Sequence, residues 1–322
     1  MPPQTFDSRA FVRTNRAIWI VIAAMMLVLA ASYRAAGLSI EIGDGWNMLL
    51  AAPFCLLISV YYHYRRSDTY ISTGAESAAQ LILILLLGAL LSFAAATTNL
   101  PYRDADLHAF DRWIGFDWRA YLGFFNARPY LGYAVHIAYL TINIQPMLVI
   151  LALTATGYFL RVKQFVLATG LSLCVTLAAF IFTPAIDNFA FLGLQWSEFA
   201  NLTPTFSFQH IHYLEALRHG TIDVVRLDDL EGLITFPSFH AISAVLFVWA
   251  AWPVRYLKWL ICLLNLGLLA ATPVDGAHYT IDIVAGILVA IIAICAAIRL
   301  QRPFLSALPR PRPVEAVPGI DP

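Results

Sequence analysis

The chain has 322 residues, of which 60% are hydrophobic and 12% are charged, and its mean hydropathy is +0.71. This is more apolar surface than one soluble core could bury, so much of its solvent must be lipid. The net charge is zero and the pI is near 7.1, which excludes the basic surface of a nucleic-acid binder. The four cysteines, Cys55, Cys174, Cys262 and Cys295, lie in apolar runs without C-x-x-C spacing, and we interpret them as small apolar residues.

Eight apolar runs approach the length of roughly 20 residues that a transmembrane helix needs. They cover approximately 17–33, 46–64, 78–97, 130–158, 163–184, 239–254, 256–273 and 278–299. The first follows Arg9, Arg13 and Arg16, as in a signal peptide, but no small-residue cleavage site comes after it, so we interpret it as a retained span. The sequence therefore predicts an all-α, polytopic membrane helical bundle of about eight spans.

The distribution of Lys and Arg predicts the orientation of these spans, because cytoplasmic loops are enriched in both residues. With an inside N-terminus, the inner segments hold thirteen of the twenty. Both termini are therefore predicted to be cytoplasmic. The short loops and the arginine bias favour a bacterial inner membrane, with the outer segments on the periplasmic face.

The chain divides into three N-terminal spans (1–97), an interfacial amphipathic segment (98–129) and a membrane core (130–302). Within the core, 185–237 is too long for a turn and is predicted to cap the outer mouth of the bundle. The Pro-rich tail, 303–322, is predicted to be a disordered cytoplasmic extension.

The first chemical motif is FPSFH, Phe236 to His240, at the start of the sixth run. Pro237 at a first helical position and Ser238 as a cap favour a helix start, which places His240 in the first turn beside free backbone N–H groups. Such a helix end attracts anions.

The second motif is GAHYTID, Gly276 to Asp282, at the start of the eighth run. His278 and Asp282 are four residues apart, which on a helix puts them on one face and within reach. A carboxylate inside a membrane is expensive without a partner, and His278 is the obvious partner. The seventh run reverses direction between the motifs, so both are predicted to lie at the outer face.

These motifs resemble the second and third signatures of the type 2 phosphatidic acid phosphatase superfamily. They are most similar to the membrane branch of inositol phosphorylceramide and sphingomyelin synthases, through PSFH and H-Y-T-I-D-I-V-A-G. The resemblance covers about 130–299 and implies a six-helix phosphatase-like core. It further implies that His278 is the nucleophile that attacks phosphorus, that Asp282 orients it, and that His240 protonates the leaving oxygen.

The sequence also departs from the superfamily pattern. Thr272 stands where an arginine of the third motif is expected, Phe239 replaces a glycine of the second, and Tyr121 replaces the lysine of a first motif. A cation is still expected to stabilise charge on the transferring phosphoryl oxygens, and Arg218 in the cap is our first assignment, Arg226 the second. Ser238 and Tyr279 are the other predicted substrate-binding residues.

The function predicted from the sequence is an integral-membrane phosphotransferase acting on a lipid phosphate ester through a phosphohistidine, similar to the inositolphosphotransferases of sphingolipid synthesis. Its predicted partners are the lipid phosphate, a lipid alcohol acceptor and the membrane lipids. A simple lipid phosphate phosphatase is the first alternative, and a proton-coupled transporter using His240, His278 and Asp282 is the second.

No cofactor and no metal are predicted, since His210 and His212 have no third ligand in the sequence. A further polar stripe in the fourth run has two interpretations: hydrogen bonding between helices near a kink, or the lining of a head-group cavity. Its members are His136, Tyr139, Asn143 and Gln145.

Overall fold

The computed structural model of the protein describes residues 8–202, 209–228, 230 and 232–300. Helices dominate this part of the chain, in which two segments of three residues are the only strands. The predicted all-α bundle is therefore confirmed. The predicted tail, 303–322, lies outside the described residues, as does 203–208 within the predicted cap.

Three long helices form the N-terminal part of the bundle. They are α1 (Ser8–Ala36), α2 (Trp46–Tyr64) and α3 (Thr69–Ala96), and each contains one predicted apolar run. The Asp68 carboxylate caps α3 by accepting hydrogen bonds from the backbone N–H groups of the second and third helical residues. α2 packs against α3 and leaves most of its surface exposed, which suits a helix at the lipid boundary.

The interfacial segment contains two short helices, α4 (Asp104–Trp113) and α5 (Trp118–Asn126). Asp117 separates them, because its backbone is extended and its carboxylate accepts a hydrogen bond from Ala120 N in the first turn of α5. Each helix buries one face and exposes the other. This is the pattern of helices that lie on the bundle rather than cross the membrane.

The predicted fourth span is broken into two helices, α6 (Pro129–Leu140) and α7 (Gln145–Ala155). They are bent by 61° across a 3-10 turn, Thr141–Asn143. Pro146 lies in the first turn of α7 and has no N–H with which to continue the hydrogen bonds of α6. The break therefore falls where the sequence places its proline.

α8 (Phe159–Phe182) returns across the bundle and leads into the cap. The cap contains α9 (Asn188–Leu192), a 3-10 turn (Trp196–Glu198) and α10 (Gln209–Arg218). It also contains β2 (Val224–Arg226), which pairs in parallel with β1 (Ser39–Glu41) from the loop between α1 and α2. This strand pairing, which the sequence did not predict, ties the cap to the N-terminal helices.

Three helices complete the bundle: α11 (Phe239–Ala251), α12 (Leu257–Asp275) and α13 (Thr280–Arg299). α11 has 13 residues. This corresponds to about 20 Å, which is shorter than the roughly 30 Å of a bilayer core. Among the described residues, six helices are long and apolar enough to span a membrane, and the bent pair α6–α7 makes a seventh. The predicted sixth run is therefore a helix but not a full span.

The central apolar core draws on helices from both ends of the sequence. Its fully buried members include Ile18 of α1, Ile84 of α3, Phe165 of α8 and Ile242 of α11. The N-terminal helices therefore pack directly on the helices that carry the two motifs. The N-terminal helices and the helices that carry the motifs thus share one apolar core.

A buried polar network joins α1 and α3 to α8. Lys163 is fully buried, and its Nζ donates to Glu76 Oε2 at 2.8 Å and to Gln80 Oε1 at 3.0 Å. Glu76 Oε1 accepts hydrogen bonds from Asn15 Nδ2 at 2.9 Å and from Trp19 Nε1 at 3.2 Å. Both charges are therefore paired and hydrogen-bonded, which is the condition under which a buried ion pair is tolerated.

We predict that Lys163→Met lowers the free energy of unfolding by about 3 kcal/mol, because Glu76 then keeps its charge without a cationic partner. The double variant Glu76→Gln/Lys163→Met should recover much of this loss, since it removes both charges. Thermal unfolding in detergent measures the effect. Lys258→Met, at a partly exposed lysine, is the control and should cost less than about 1 kcal/mol. Equal losses in the single and double variants would contradict the prediction.

Candidate active site

The first motif forms the start of α11. Ser238 is the N-cap residue, and its hydroxyl oxygen accepts a hydrogen bond from Ala241 N at 3.4 Å. The first helical residue is Phe239, so Pro237 precedes the cap and the predicted first helical position for it was wrong. His240 lies in the first turn, where backbone N–H groups have no partner within the helix.

The second motif forms the turn from α12 into α13. α13 begins at Thr280 after an extended Tyr279, so His278 lies just before the helix and not on its first turn. Asp282 still reaches it, because Oδ2 accepts a hydrogen bond from Tyr279 N at 2.9 Å and lies 3.3 Å from Nδ1 of His278. A carboxylate in this position fixes the orientation of the imidazole and favours its proton on Nδ1.

A direct backbone contact joins the two motifs. The N–H of Ser238 donates to the carbonyl oxygen of Asp282 at 3.0 Å. Gly286, one turn further along α13, allows this approach, since a Cβ there would lie 2.5 Å from Ser238 O. The His240 and His278 rings consequently meet edge to face, with centroids 5.7 Å apart.

α6 closes one side of the site. The Tyr139 ring stacks on His240 at a centroid distance of 4.5 Å and an angle of 18°. One turn earlier, His136 Nδ1 lies 2.6 Å from Asp275 Oδ1, at the end of α12. His136 and Tyr139, two members of the polar stripe, therefore face the motifs.

Gln145, another member of the stripe, accepts a hydrogen bond from Asn265 of α12. The interpretation of the stripe as hydrogen bonding between helices is therefore correct for that residue.

The interfacial helix α4 holds the start of α13. Asp111 accepts hydrogen bonds from Thr280, through both its backbone N–H at 3.0 Å and its hydroxyl, and from Trp118 Nε1 at 2.8 Å. Asp104 accepts one from the Tyr279 hydroxyl at 2.9 Å. Sequence analysis missed both carboxylates. Their spacing of seven residues, two turns on one face of a helix, was the available signal.

Carboxylates dominate the electrostatics of the site. Asp104 and Asp111 both lie close enough to Asp282 to interact with it electrostatically, and Asp104 also interacts with Asp187 of the cap. Burial raises the pKa of Asp187 to about 6. Burial lowers the pKa of His278 to about 4, against a hydrogen bond with the Thr235 backbone that raises it. His278 is therefore a neutral imidazole at physiological pH.

Residues 105–296, more than half of the chain, match the family model of the PAP2 superfamily. The chain belongs to the PAP2 superfamily. The predicted resemblance to type 2 phosphatidic acid phosphatases is confirmed at this level, and membership supports a lipid phosphatase-type function. The match begins before the expected residue 130, so it includes α5 and all of α4 except its first residue, Asp104. No curated protein and no solved structure matches the chain.

The two cations predicted to bind phosphate in this PAP2 protein have other partners. Arg218 Nη2 donates to Leu100 O at 2.6 Å, and its guanidinium lies 4.0 Å from the centre of the Tyr102 ring. Arg226 bonds Asp228 at 2.7 Å within the cap. None of these contacts involves the two histidines. Their role in phosphate binding stays a prediction.

The other two predicted substrate-binding residues are fully or almost fully buried, and their hydroxyl groups have protein partners. Ser238 uses its hydroxyl as the helix cap. The Tyr279 hydroxyl donates a hydrogen bond to Asp104. In this arrangement both side chains stabilise the PAP2 motifs through hydrogen bonds within the protein. Contact with substrate stays a prediction for each.

Two cavities flank the motifs. The outer cavity, of about 360 Å³, is lined by Pro129, Tyr130, Gly132, Tyr133, His136, Asn201, Leu202, Val274 and Asp275. The inner cavity, of about 250 Å³, is lined by Leu81, Leu85, Ile142, Asn143, Pro146, Phe165, Thr169, Phe239, His240, Ser243, Leu246 and Phe247. The outer cavity thus contains the His136–Asp275 pair, and the inner cavity reaches His240 itself.

In the part of the chain that the structure describes, no group of three His, Cys, Asp or Glu side chains is arranged to hold a metal ion. His212 is exposed, and the side chain of His210 lies outside the described part. The four cysteines are unpaired thiols, two of them exposed in the helices of the bundle.

We predict that Gly286→Ala disrupts the backbone contact between the two motifs. The new Cβ would meet Ser238 O at 2.5 Å and Ala241 Cβ at 3.0 Å, and neither can move without displacing α11. The expected loss of stability is about 1–3 kcal/mol, measured by thermal unfolding in detergent. Gly123→Ala is the matched control, since a Cβ there meets nothing within 4 Å. Equal stability of the two variants would contradict the close approach of α11 and α13.

Proposed function

We propose that the protein is an integral-membrane phosphotransferase that moves the phosphorylated head group of a lipid phosphodiester to a lipid alcohol through a phosphohistidine at His278. The observation that carries this proposal is the convergence of two imidazoles and one carboxylate. The rings of His240 and His278 lie 5.7 Å apart, and Asp282 Oδ2 lies 3.3 Å from Nδ1 of His278. Membership of the PAP2 superfamily supports chemistry at a lipid phosphate.

The proposed first step is attack on phosphorus by the His278 ring nitrogen that Asp282 does not hold. The bond from phosphorus to the leaving oxygen breaks, and His240, which takes up a proton when the anionic phosphate binds beside it, gives that oxygen its proton. In the second step the acceptor oxygen attacks phosphorus, the bond to His278 breaks, and neutral His240 takes the proton of the acceptor. Both histidines return to their starting states, so the two steps form a closed cycle.

The charge around the site favours a phosphodiester over a phosphomonoester. A diester carries one negative charge and a monoester carries up to two at neutral pH. Arg218 and Arg226, the two cations predicted to bind phosphate, are engaged by Leu100 O and by Asp228. A second negative charge on the substrate would therefore be buried without a cationic partner, which penalises a dianion most. A diester substrate is what a head-group transferase uses, in line with the branch of sphingolipid synthases.

The outer cavity is the proposed site for the polar head group. His136 and Asp275 line it, and Asn201 belongs to the same wall. Gly276 and Ala277 alone separate Asp275 from His278, and Tyr139, on the same face of α6 as His136, stacks on His240. A head group bound there would keep its phosphorus beside the two histidines.

The proposed location is a bacterial inner membrane, with the site at the periplasmic face. The two histidines lie at the end of the bundle that the outer segments occupy in the predicted topology. Thirteen of twenty Lys and Arg residues fall in the opposite segments. Six to seven candidate spans among the described residues fit an integral, multi-pass protein.

We predict that His278→Ala abolishes turnover, because it removes the imidazole that Asp282 orients and that attacks phosphorus in the proposed reaction. Wild-type protein given a phosphodiester labelled at phosphorus should retain acid-labile label on His278, found by rapid quench and mass spectrometry. His219→Ala is the control, since His219 is exposed at the end of α10. Unchanged turnover in a folded His278→Ala variant overturns the enzymatic proposal.

The same experiment separates the transferase from the hydrolase, which is the alternative. A transferase holds its label until a lipid alcohol is added. Release of the phosphorylated head group at the same rate without any alcohol would favour the hydrolase.

The pH dependence of the nucleophile can be predicted from its burial. The pKa of His278 is lowered to about 4, so its ring is neutral above that pH and loses its nucleophilic lone pair only when the pH falls through about 4. An exposed histidine would lose it near 6.5. NMR titration of protein with labelled histidines measures this, and the resonance absent from His278→Gln identifies the residue. A midpoint near pH 6.5 would contradict the buried environment.

A further inference from the structure

The inner cavity begins at His240 and continues into the bundle. Its wall on α11 contains His240, then Ser243 one turn deeper, and Leu246 and Phe247 a further turn deeper. Seven residues along a helix correspond to about 10 Å. The cavity therefore leads from the general acid of the proposed reaction toward the middle of the membrane.

The surroundings of this cavity are mainly apolar. Eight of its twelve lining residues are Leu, Ile, Pro or Phe. The hydroxyl of Thr169 is occupied by a hydrogen bond to Phe165 O at 2.9 Å. A volume of about 250 Å³ is below the roughly 300 Å³ at which pockets for drug-sized ligands begin, so it fits part of one chain and not a whole lipid.

The break between α6 and α7 opens the cavity to the side. Asn143 and Pro146 line the cavity, and both belong to this break. Asn143 is exposed, as is the neighbouring Ile144. This break therefore offers the cavity an entrance from the side of the bundle.

We propose that the inner cavity binds one alkyl chain of the substrate, the chain attached to the oxygen that leaves phosphorus. This inference rests on the proposed function and extends it to the tail of the lipid. The chain lies along α11 below His240, so its oxygen is held at the group that protonates it. Two wall residues, Leu81 and Leu85, belong to α3, which precedes the part of the chain that matches the family model. The N-terminal helices thus determine which chains fit.

The benefit of this cavity is positioning. A chain in the bilayer is already out of water, so moving it into an apolar cavity gains little hydrophobic free energy. A chain of the right shape instead fixes the leaving oxygen relative to His240, and small misplacements of reacting atoms are costly in rate. Changes in the cavity therefore act on kcat more than on KM.

Photo-crosslinking tests the location of the chain without requiring turnover. The probe is a hexadecyl ester of methyl phosphate that carries a diazirine in its chain, bound to the His278→Ala variant. We expect label on the cavity walls, at Leu81, Leu85 or Phe247, that excess hexadecyl methyl phosphate removes. Competable label found only on outward-facing residues such as Leu57 and Leu263 overturns the inference.

Substitution of the α3 wall tests the consequence for rate. Leu85→Trp fills the cavity and should lower the ratio of kcat for the hexadecyl ester to kcat for the butyl ester by about tenfold. Leu85→Ala, which enlarges the cavity, should lower it less. Leu83→Trp is the matched control on the other side of α3, and its ratio should equal that of the wild type. Equal ratios for Leu85→Trp and Leu83→Trp overturn the inference.

The two tests also distinguish this inference from the proposed function. Absence of phosphorus on His278 in the wild type would refute the phosphohistidine. Specific crosslinks within the cavity would still support the assignment of the chain, because they are obtained with a variant that has no nucleophile.

Discussion

The close contact between α11 and α13 is the constraint on which the site depends. One hydrogen bond, from Ser238 N to Asp282 O, joins the two motifs through the backbone, and Gly286 leaves the space that it needs. Because backbone atoms move far less freely than side chains, this contact fixes where His240 and His278 project. The facing of their rings follows from it, and so does the proposed division of roles between nucleophile and acid.

Around this contact, buried carboxylates stabilise the turn between α12 and α13 by accepting hydrogen bonds. Asp111 accepts from Thr280 and Trp118, and Asp104 accepts from Tyr279, so α4 is bonded to the start of α13. Buried carboxylates are expensive unless donors satisfy them, and these donors reduce that cost. The site is therefore surrounded by hydrogen-bonded carboxyl groups, which distinguishes it from a site built on arginine and lysine.

The N-terminal helices pack in the same bundle as the helices that carry the site. Glu76 and Lys163 join α3 to α8 near the end of the bundle opposite the histidines, so ionisable residues are not confined to one end. The apolar core and the inner cavity lie between these two polar sites. A proton path would have to cross that apolar region, whereas an alkyl chain is suited to it. The separation therefore agrees better with lipid chemistry than with proton-coupled transport.

The sequence alone determined the all-α membrane class, the places of the helices and the two motifs, because apolar runs and the spacing of His278 and Asp282 are local properties. It did not determine that α11 is shorter than a span, that α6 and α7 are bent, or that Arg218 bonds Leu100. Nor did it show that Asp104, Asp111 and Tyr139 surround the histidines. These features depend on contacts between residues far apart in the chain, and only tertiary packing decides which side chain meets which.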